Sequence, residues 1–154
     1  MPNPTFSKRQ ALILLAAPFA LILGSRRALA GLPSVKAYRN PGCVCCEKWG
    51  ELMKQAGFVL TMEDDPDLTE RKISLGVPAA IAGCHTAMIG QYIIEGHVPP
   101  ADVIKLLSEA PMVLGLAVPG MPAESPGMEM GGTPEKYDVL IFSKDGSRAI
   151  YAKH

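Results

Sequence analysis

The chain has 154 residues, of which 48% are hydrophobic and 19% are charged. That length and composition predict a single globular domain with a hydrophobic core of its own. The 15 basic residues only balance the 15 acidic ones, so a nucleic acid, which requires a basic surface, is excluded as an expected partner.

The first 30 residues have the three-part layout of a secretory signal peptide. Lys8 and Arg9 precede an apolar run at residues 11–24, and Ala-Leu-Ala at 28–30 provides a cleavage site of small residues. The apolar run is short for a bilayer span. We therefore predict that residues 1–30 are cleaved, and that the mature, mildly acidic protein is exported and has no membrane span.

Strand and helix patterns then alternate as far as residue 110. Branched and aromatic runs between turn residues indicate strands, and apolar residues at helical spacing indicate helices. Asp65 is the predicted cap of the second helix, with Pro66 as its first residue. The predicted elements are a strand at 35–38, a helix at 45–56, a strand at 58–62, a short helix at 65–75, hairpin strands at 84–89 and 92–97, and a helix that begins at 99–100.

This predicted order, β-α-β-α-β-β-α, resembles the thioredoxin fold. The likeness includes a cysteine-containing turn after the first strand and the dipeptide Val77-Pro78 before the hairpin. It implies an α/β, thioredoxin-like domain over residues 31–110, in which the third strand runs antiparallel to the first strand and beside it. The beginning of the third strand is then expected to lie near the cysteine turn.

The cysteine turn is the most unusual part of the sequence. Cys43, Cys45 and Cys46 fall in the predicted first helical turn, where unpaired N–H groups and the helix dipole favour thiolate over thiol. In an oxidising compartment these thiols require a disulfide or a metal. A structural disulfide with one spare thiol is disfavoured, because the adjacent pair Cys45-Cys46 would close a strained ring. The motif therefore indicates a soft metal or a redox pair.

The predicted hairpin brings further donors towards this turn. A Gly-Gln pair at residues 90–91 suits a two-residue hairpin turn. Counting back from that turn sets Cys84 opposite His97, with Cβ atoms ~5 Å apart, and His85 beside them. A competing register turns at residues 83–84 and sends these donors to the far end of the hairpin. The first register is preferred because it gives two strands of equal length.

The C-terminal extension, residues 111–154, has a different composition. Residues 115–133 are rich in Pro, Gly and Met, with Pro-Gly-Met present twice, and they predict an irregular loop of functional importance. Runs at 137–142 and 148–151, around a Lys-Asp-Gly-Ser turn, predict a closing β-hairpin. We expect the extension to pack on the same domain and to take part in metal binding.

Five ordered motifs resemble one known family. They are Asn-Pro-Gly-Cys-Val-Cys-Cys at 40–46, Gly-Val-Pro at 76–78, Cys-His-Thr-Ala at 84–87, Glu-Gly-His-Val-Pro at 95–99, and Val-Pro-Gly-Met-Pro at 118–122 with Ser-Pro-Gly-Met at 125–128. Together they are similar, over essentially the whole mature chain, to the CopG-like periplasmic copper-resistance proteins. The resemblance implies a periplasmic thioredoxin-like domain with a C-terminal extension, copper beside the Cys-x-Cys-Cys motif, and a redox role.

The donor chemistry also favours copper. Thiolate and thioether sulfur atoms are soft ligands that select Cu(I), and bridging thiolates can hold more than one ion per chain. The predicted metal ligands are Cys43, Cys45, Cys46 and Cys84, with His85 or His97 and Met121 or Met128. The predicted function is copper sequestration or Cu(I)/Cu(II) interconversion, so a binding protein and a copper oxidoreductase both fit. Copper-efflux components are the expected protein partners of a monomeric chain.

Two other functions use part of the same pattern. A metal-free thiol–disulfide oxidoreductase would use Cys43 and Cys46, whose C-x-x-C spacing at a helix start suits that chemistry. It leaves Cys45 and the Met-rich extension without a role. A zinc-stabilised binding module would use the same Cys and His residues as structural ligands.

Overall fold

Seven strands and three α-helices form in residues 31–154, the part of the chain that this computed structural model describes. The strands are β1 Val35–Arg39, β2 Leu60–Asp64, β3 His85–Ile89, β4 Tyr92–Glu95, β5 Gly115–Ala117, β6 Asp138–Phe142 and β7 Arg148–Lys153. The helices are α1 Val44–Gln55, α2 Leu68–Ser74 and α3 Pro100–Glu109. The predicted signal peptide, residues 1–30, lies outside the described residues.

The seven strands of this described region belong to one sheet with the order β2-β1-β3-β4-β5-β6-β7. Strand β1 is parallel to β2 and antiparallel to β3, and β3 is antiparallel to β4. The mixed α/β fold that the sequence predicts is therefore confirmed. Ile89 pairs with Tyr92 across the turn at residues 90–91, so the preferred hairpin register is confirmed as well.

Helix α1 ends where the sequence predicts, but the strand that follows it begins two residues later than predicted. Gly57 has a φ of 101°, a left-handed conformation that favours glycine at the end of a helix. The backbone N–H of Phe58 still donates to the Met53 carbonyl oxygen, at 3.1 Å. Because this N–H is engaged with the helix, β2 begins at Leu60 instead of at residue 58.

The second helix begins at Leu68, with Asp67 as its N-cap, so the predicted start at Asp65 and Pro66 is wrong. The Asp65 side chain accepts a 3.0 Å hydrogen bond from the Asp67 backbone N–H and pairs with the Arg71 guanidinium. The hydrogen bond from Arg71 lowers the pKa of the Asp65 carboxyl group. Asp65 thus closes a turn before the helix and does not cap the helix itself.

Strand β5 corrects the prediction that residues 115–133 contain no regular element. It pairs in parallel with β4 and antiparallel with β6, and so joins the C-terminal hairpin to the same sheet. A Cβ atom on Gly115 would lie only 1.7 Å from the Ile93 carbonyl oxygen. Glycine, which normally weakens a strand, is therefore required for this pairing. A three-residue strand that contains glycine also gives no alternating pattern in the sequence.

Core side chains cover both faces of β4. Ile94 belongs to the main core cluster, with Trp49 of α1 and Leu106 of α3. Ile93 belongs to a second cluster, with Phe142 of β6. Burial on both faces explains the continuous apolar run in β4, and it holds α1 firmly against the sheet.

The donors predicted from the sequence meet at one end of this sheet. Arg39, the last residue of β1, pairs with His85, the first residue of β3. Glu95 ends β4 and pairs with Thr86 of β3. The cysteine turn that follows β1 therefore lies beside the start of β3 and the end of β4.

Across residues 31–154, no helix is both long enough and apolar enough to cross a bilayer.

Candidate metal centre

The cysteine turn is anchored to the neighbouring strands. Gly42 has a φ of 75°, and the Cys43 backbone N–H donates to the Asn40 carbonyl oxygen at 3.2 Å. Cys43 is the N-cap residue of α1. The Arg39 guanidinium donates to the Cys43 carbonyl oxygen at 3.1 Å and pairs with Asp64 of β2 at 2.7 Å. These bonds set where the three cysteines of the turn point.

A disulfide joins Cys43 and Cys46, whose Cα atoms lie 5.4 Å apart. The expectation that no disulfide forms in this motif is therefore wrong: ring strain disfavours only the adjacent pair Cys45-Cys46, and a C-x-x-C pair in a helical turn is free of it. Cys45 and Cys84 carry free thiols. The predicted ligands Cys43 and Cys46 are thus present in oxidised form, and their role as thiolate ligands stays a prediction for the reduced protein.

Four sulfur atoms converge at the start of α1. The distances are 3.5 Å from Cys43 Sγ to Cys45 Sγ, 3.5 Å from Cys46 Sγ to Cys84 Sγ, and 3.9 Å from Cys45 Sγ to Cys84 Sγ. All four sulfur atoms lie within 4.8 Å of one another. Two sulfur ligands of one ion lie at most ~4.6 Å apart, since such metal–sulfur bonds are about 2.3 Å long. The four sulfur atoms are therefore close enough together to share a metal ion once the disulfide is reduced.

Cys84, His85 and His97, which lie on or beside the β3–β4 hairpin, are close to the same sulfur cluster. Cys84 Sγ lies 2.8 Å from His97 Nε2 and 3.4 Å from His85 Nδ1. The Gly96 N–H donates to the His85 carbonyl oxygen at 2.9 Å, which continues the β3–β4 register beyond the last strand pair. The register with a turn at residues 83–84 is therefore excluded.

His97 is held in one tautomer by the C-terminal extension. Its Nδ1 lies 2.7 Å from the Pro126 carbonyl oxygen, and a carbonyl only accepts hydrogen bonds, so Nδ1 carries the proton. Nε2 is left with its lone pair directed at Cys84. Burial lowers the pKa of His97, which favours the neutral imidazole that metals bind. Nothing in the sequence pattern indicated that a backbone carbonyl from the extension would orient this ring.

His85 is fully buried, and its ring centroid lies 4.3 Å from that of Trp49. Burial, reinforced by His97 and Lys72, lowers the pKa of His85 well below its usual value. Its Nε2 has no hydrogen-bond partner among the residues described. A buried polar atom without a partner costs about 1–3 kcal/mol, so hydrogen bonding through Nε2 does not explain a histidine at this buried position.

Cys84 stands between the cysteines and the histidines. Burial raises the pKa of its thiol to about 12, with the neighbouring Cys45 as the next cause. The thiol is therefore protonated near neutral pH unless a positive charge lies beside it. A metal cation provides that charge and displaces the proton. Cys84 thus suits a metal ligand better than it suits a free nucleophile.

The predicted methionine ligands lie on the Cys45 side of the site. Met121 and Met128 line a cavity of about 270 Å³ next to Cys45, together with Met130. Met121 is 57% exposed, whereas Met128 is half-buried. A Cβ atom on Gly127 would lie 2.7 Å from the Cys45 carbonyl oxygen, so glycine allows this segment to pack directly on α1. The second Pro-Gly-Met unit therefore lies over the cysteine turn.

A buried ion pair that the sequence pattern did not predict lies behind Cys84. The Glu95 carboxylate accepts hydrogen bonds from Lys72 Nζ at 2.5 Å, from the Thr86 hydroxyl at 2.7 Å, and from the Gly83 N–H at 2.6 Å. Burial raises the pKa of Glu95, and Lys72 opposes that rise. Because Gly83 directly precedes Cys84, this network fixes the backbone that carries the thiol. Its only signal in the sequence is one glutamate at the end of an apolar strand.

The donor set fits a soft transition metal. The two groups of potential ligands comprise thiol sulfurs and imidazole nitrogens and contain no carboxylate, a composition that favours copper or zinc over hard cations. Two imidazole nitrogens, His85 Nδ1 and His97 Nε2, lie at 3.4 Å and 2.8 Å from Cys84 Sγ, so nitrogen and sulfur donors face one another. The residues present therefore fit a copper ion bound as cargo or substrate.

Two solved structures resemble this chain over nearly their whole length. Both are named copper resistance protein CopG, as form 1 and form 2, and they are 37% and 36% identical to this chain. Each alignment covers 80% of this chain and 98% of the CopG chain, with a TM-score of 0.76. Residues 81–128 match a family described as a protein of unknown function, DUF411, whereas no curated protein matches the chain. The chain belongs to the family of the copper resistance protein CopG.

Proposed function

We propose that this protein is a periplasmic copper-binding protein of copper resistance. Its reduced cysteines bind copper through their thiolates, with His85 or His97 and Met121 or Met128 completing the coordination. The main support is the convergence of four sulfur atoms, all within 4.8 Å of one another, at the partly buried start of α1. The copper resistance named for the similar structures and the soft character of the donors favour copper over other metals.

The work of the site is to sequester copper or to interconvert Cu(I) and Cu(II). The Cys43–Cys46 disulfide supports a redox role, since this bond can open and close beside the other donors. Mixed sulfur and imidazole ligands also suit both valences of copper. The strand order β2-β1-β3-β4, with the cysteine turn at the start of α1, supports a thioredoxin-like description of residues 31–110. Copper-efflux components are the expected protein partners.

The variant Cys45→Ser is expected to lose most of the copper of the reduced protein and to keep its fold. Cys45 Sγ lies 3.5 Å from Cys43 Sγ and 3.9 Å from Cys84 Sγ, so its removal opens the middle of the sulfur cluster. The side chain is half-buried and lies outside the disulfide, so serine leaves the core intact. Elemental analysis of reduced protein and circular dichroism measure the two effects.

The matched control is Val44→Ser, at the adjacent and 64% exposed position of the same helical turn. Its copper content should equal that of the unmodified protein. A Cys45→Ser variant that keeps the full copper content would remove Cys45 from the ligand set.

The Cys43–Cys46 disulfide also favours a second function, that of a metal-free thiol–disulfide oxidoreductase. Against it, this function leaves the free thiols of Cys45 and Cys84 and the Met-rich extension without a role. Insulin reduction by metal-free protein separates the two functions, because robust turnover supports the oxidoreductase. Zinc at full occupancy in protein from copper-supplemented cells would instead support a structural zinc module.

A further inference from the structure

The potential ligands form two groups that share one sulfur atom. The first group comprises the four cysteines, and the second comprises Cys84, His85 and His97. Within each group the ligand atoms lie within 4.8 Å of one another. Cys84 belongs to both groups because its sulfur atom lies beside the cysteines of the turn and also beside the two histidine rings. The two groups therefore compete for one thiolate but otherwise use different side chains.

The disulfide affects these groups unequally. Cys43 and Cys46 are bonded to each other, so neither sulfur is available as a thiolate until the bond takes up two electrons and two protons from an external dithiol. The first group then retains only Cys45 and Cys84 as free thiols. The second group contains neither bonded cysteine and is complete in the oxidised protein.

Within the second group, His97 is arranged for metal binding without a change of tautomer. His97 directs Nε2 at Cys84 because its Nδ1–H is held by the Pro126 carbonyl oxygen, 2.7 Å away. A second hydrogen bond of this kind fixes the ring orientation of many metal-binding histidines. His85 presents Nδ1 at 3.4 Å from Cys84 Sγ. One thiolate with two imidazoles is a set in which protein-bound copper cycles between Cu(I) and Cu(II).

We infer that Cys84, His85 and His97 form a copper site of their own, which stays competent while Cys43 and Cys46 are joined by the disulfide. The inference rests on the proposed function in that copper is the metal. Reduction of the disulfide adds the thiolates of Cys43 and Cys46 and converts this small site into the larger sulfur cluster. The redox state of one disulfide thereby sets how much copper the chain holds.

The test uses the Cys45→Ser variant of the mature protein with its disulfide intact, as verified by mass spectrometry. In this variant Cys84 is the remaining free thiol, so copper cannot drive a second disulfide within the chain. The probe is Cu(II) alone. We expect one bound ion per chain, with visible sulfur-to-copper charge-transfer absorption and a Cu(II) electron paramagnetic resonance spectrum that shows nitrogen coupling.

Two further substitutions in this variant identify the ligands. His97→Gln and His85→Phe should each abolish the absorption band and the bound ion. Because His85 Nε2 has no partner in the described part of the chain, phenylalanine should keep or raise the melting temperature, which a purely structural histidine would not permit. His154→Gln is the matched control, since His154 bonds to Asp102 on α3 and stacks on Tyr137 away from the cysteines.

Three outcomes overturn the inference, and they bear differently on the proposed function. If oxidised protein binds no copper while reduced protein does, the inference fails and the proposed function stands. If neither form binds copper, both fail. If the histidine variants keep the bound ion and its spectrum, copper lies elsewhere and the assignment of this site is wrong.

Discussion

The variant Cys84→Ser is expected to lose copper in both the oxidised and the reduced protein. Cys84 Sγ lies 3.5 Å from Cys46 Sγ and 2.8 Å from His97 Nε2, so it belongs to the sulfur cluster and to the sulfur–imidazole site at once. A serine hydroxyl is a hard, weakly acidic donor that binds copper poorly. The loss should therefore exceed that of Cys45→Ser, which affects the reduced cluster alone.

Elemental analysis measures the copper content of the Cys84→Ser variant before and after reduction. The Cys45→Ser variant is measured in the same way for comparison. The melting temperature of the metal-free variant should stay close to that of the unmodified protein, because Cys84 is half-buried and serine is similar in size. Normal copper content in either redox state would show that the two sites do not share this sulfur atom.

The variant Lys72→Met is expected to lower the free energy of unfolding by about 3–5 kcal/mol at neutral pH, because it leaves a buried charge unpaired. Glu95 is fully buried, and Lys72 Nζ is its cationic partner at 2.5 Å. The hydrogen bonds from Thr86 and Gly83 remain but supply no charge. Urea denaturation gives the free energy of unfolding for the variant and the unmodified protein.

The pH dependence of this loss distinguishes an unpaired charge from a packing defect. Burial raises the pKa of Glu95, and Lys72 opposes the rise; without Lys72 the folded-state pKa moves further above the unfolded value. An acid whose pKa is raised in the folded state destabilises the fold at pH values above that folded-state pKa, where the group is ionised. This destabilisation decreases as the pH falls below the folded-state pKa, and it is gone below the unfolded-state pKa, where both states carry the proton. The loss in free energy of unfolding caused by Lys72→Met should therefore become smaller as the pH is lowered.

Two controls complete this experiment. The double variant Lys72→Met with Glu95→Gln should recover most of the stability at neutral pH, because it removes both charges and keeps a hydrogen-bonding side chain. Lys144→Met, at an exposed turn position between β6 and β7, should change stability by less than about 0.5 kcal/mol. If Lys72→Met lowers the free energy of unfolding as little as Lys144→Met does, or if its loss grows as the pH falls, Lys72 does not neutralise a buried charge on Glu95.

Local turn chemistry made much of the fold predictable. The Gly-Gln pair at residues 90–91 set the hairpin register, and that register alone brought Cys84 opposite His97. Gly57, just after α1, and the Pro-Pro pair at residues 99–100, where α3 begins, marked helix boundaries correctly. These signals act over a few residues, where sequence and conformation are directly linked.

Features that depend on contacts distant in the chain escaped prediction. Strand β5 exists because Gly115 lets two backbones approach closely, which a short glycine-containing run does not reveal. The carbonyl of Pro126 orients His97 although no side-chain pattern encodes a backbone acceptor. The pairing of Lys72 with Glu95 required knowledge of how α2 packs on β4. The disulfide was disfavoured because the strain of one adjacent pair was applied to the whole motif.

The decisive measurement is the copper content of one preparation before and after anaerobic reduction of the Cys43–Cys46 disulfide. We expect the reduced protein to bind more copper than the oxidised protein, with X-ray absorption at the copper edge showing mainly sulfur neighbours. Equal copper content in the two states, or a copper environment of nitrogen and oxygen atoms alone after reduction, would contradict it.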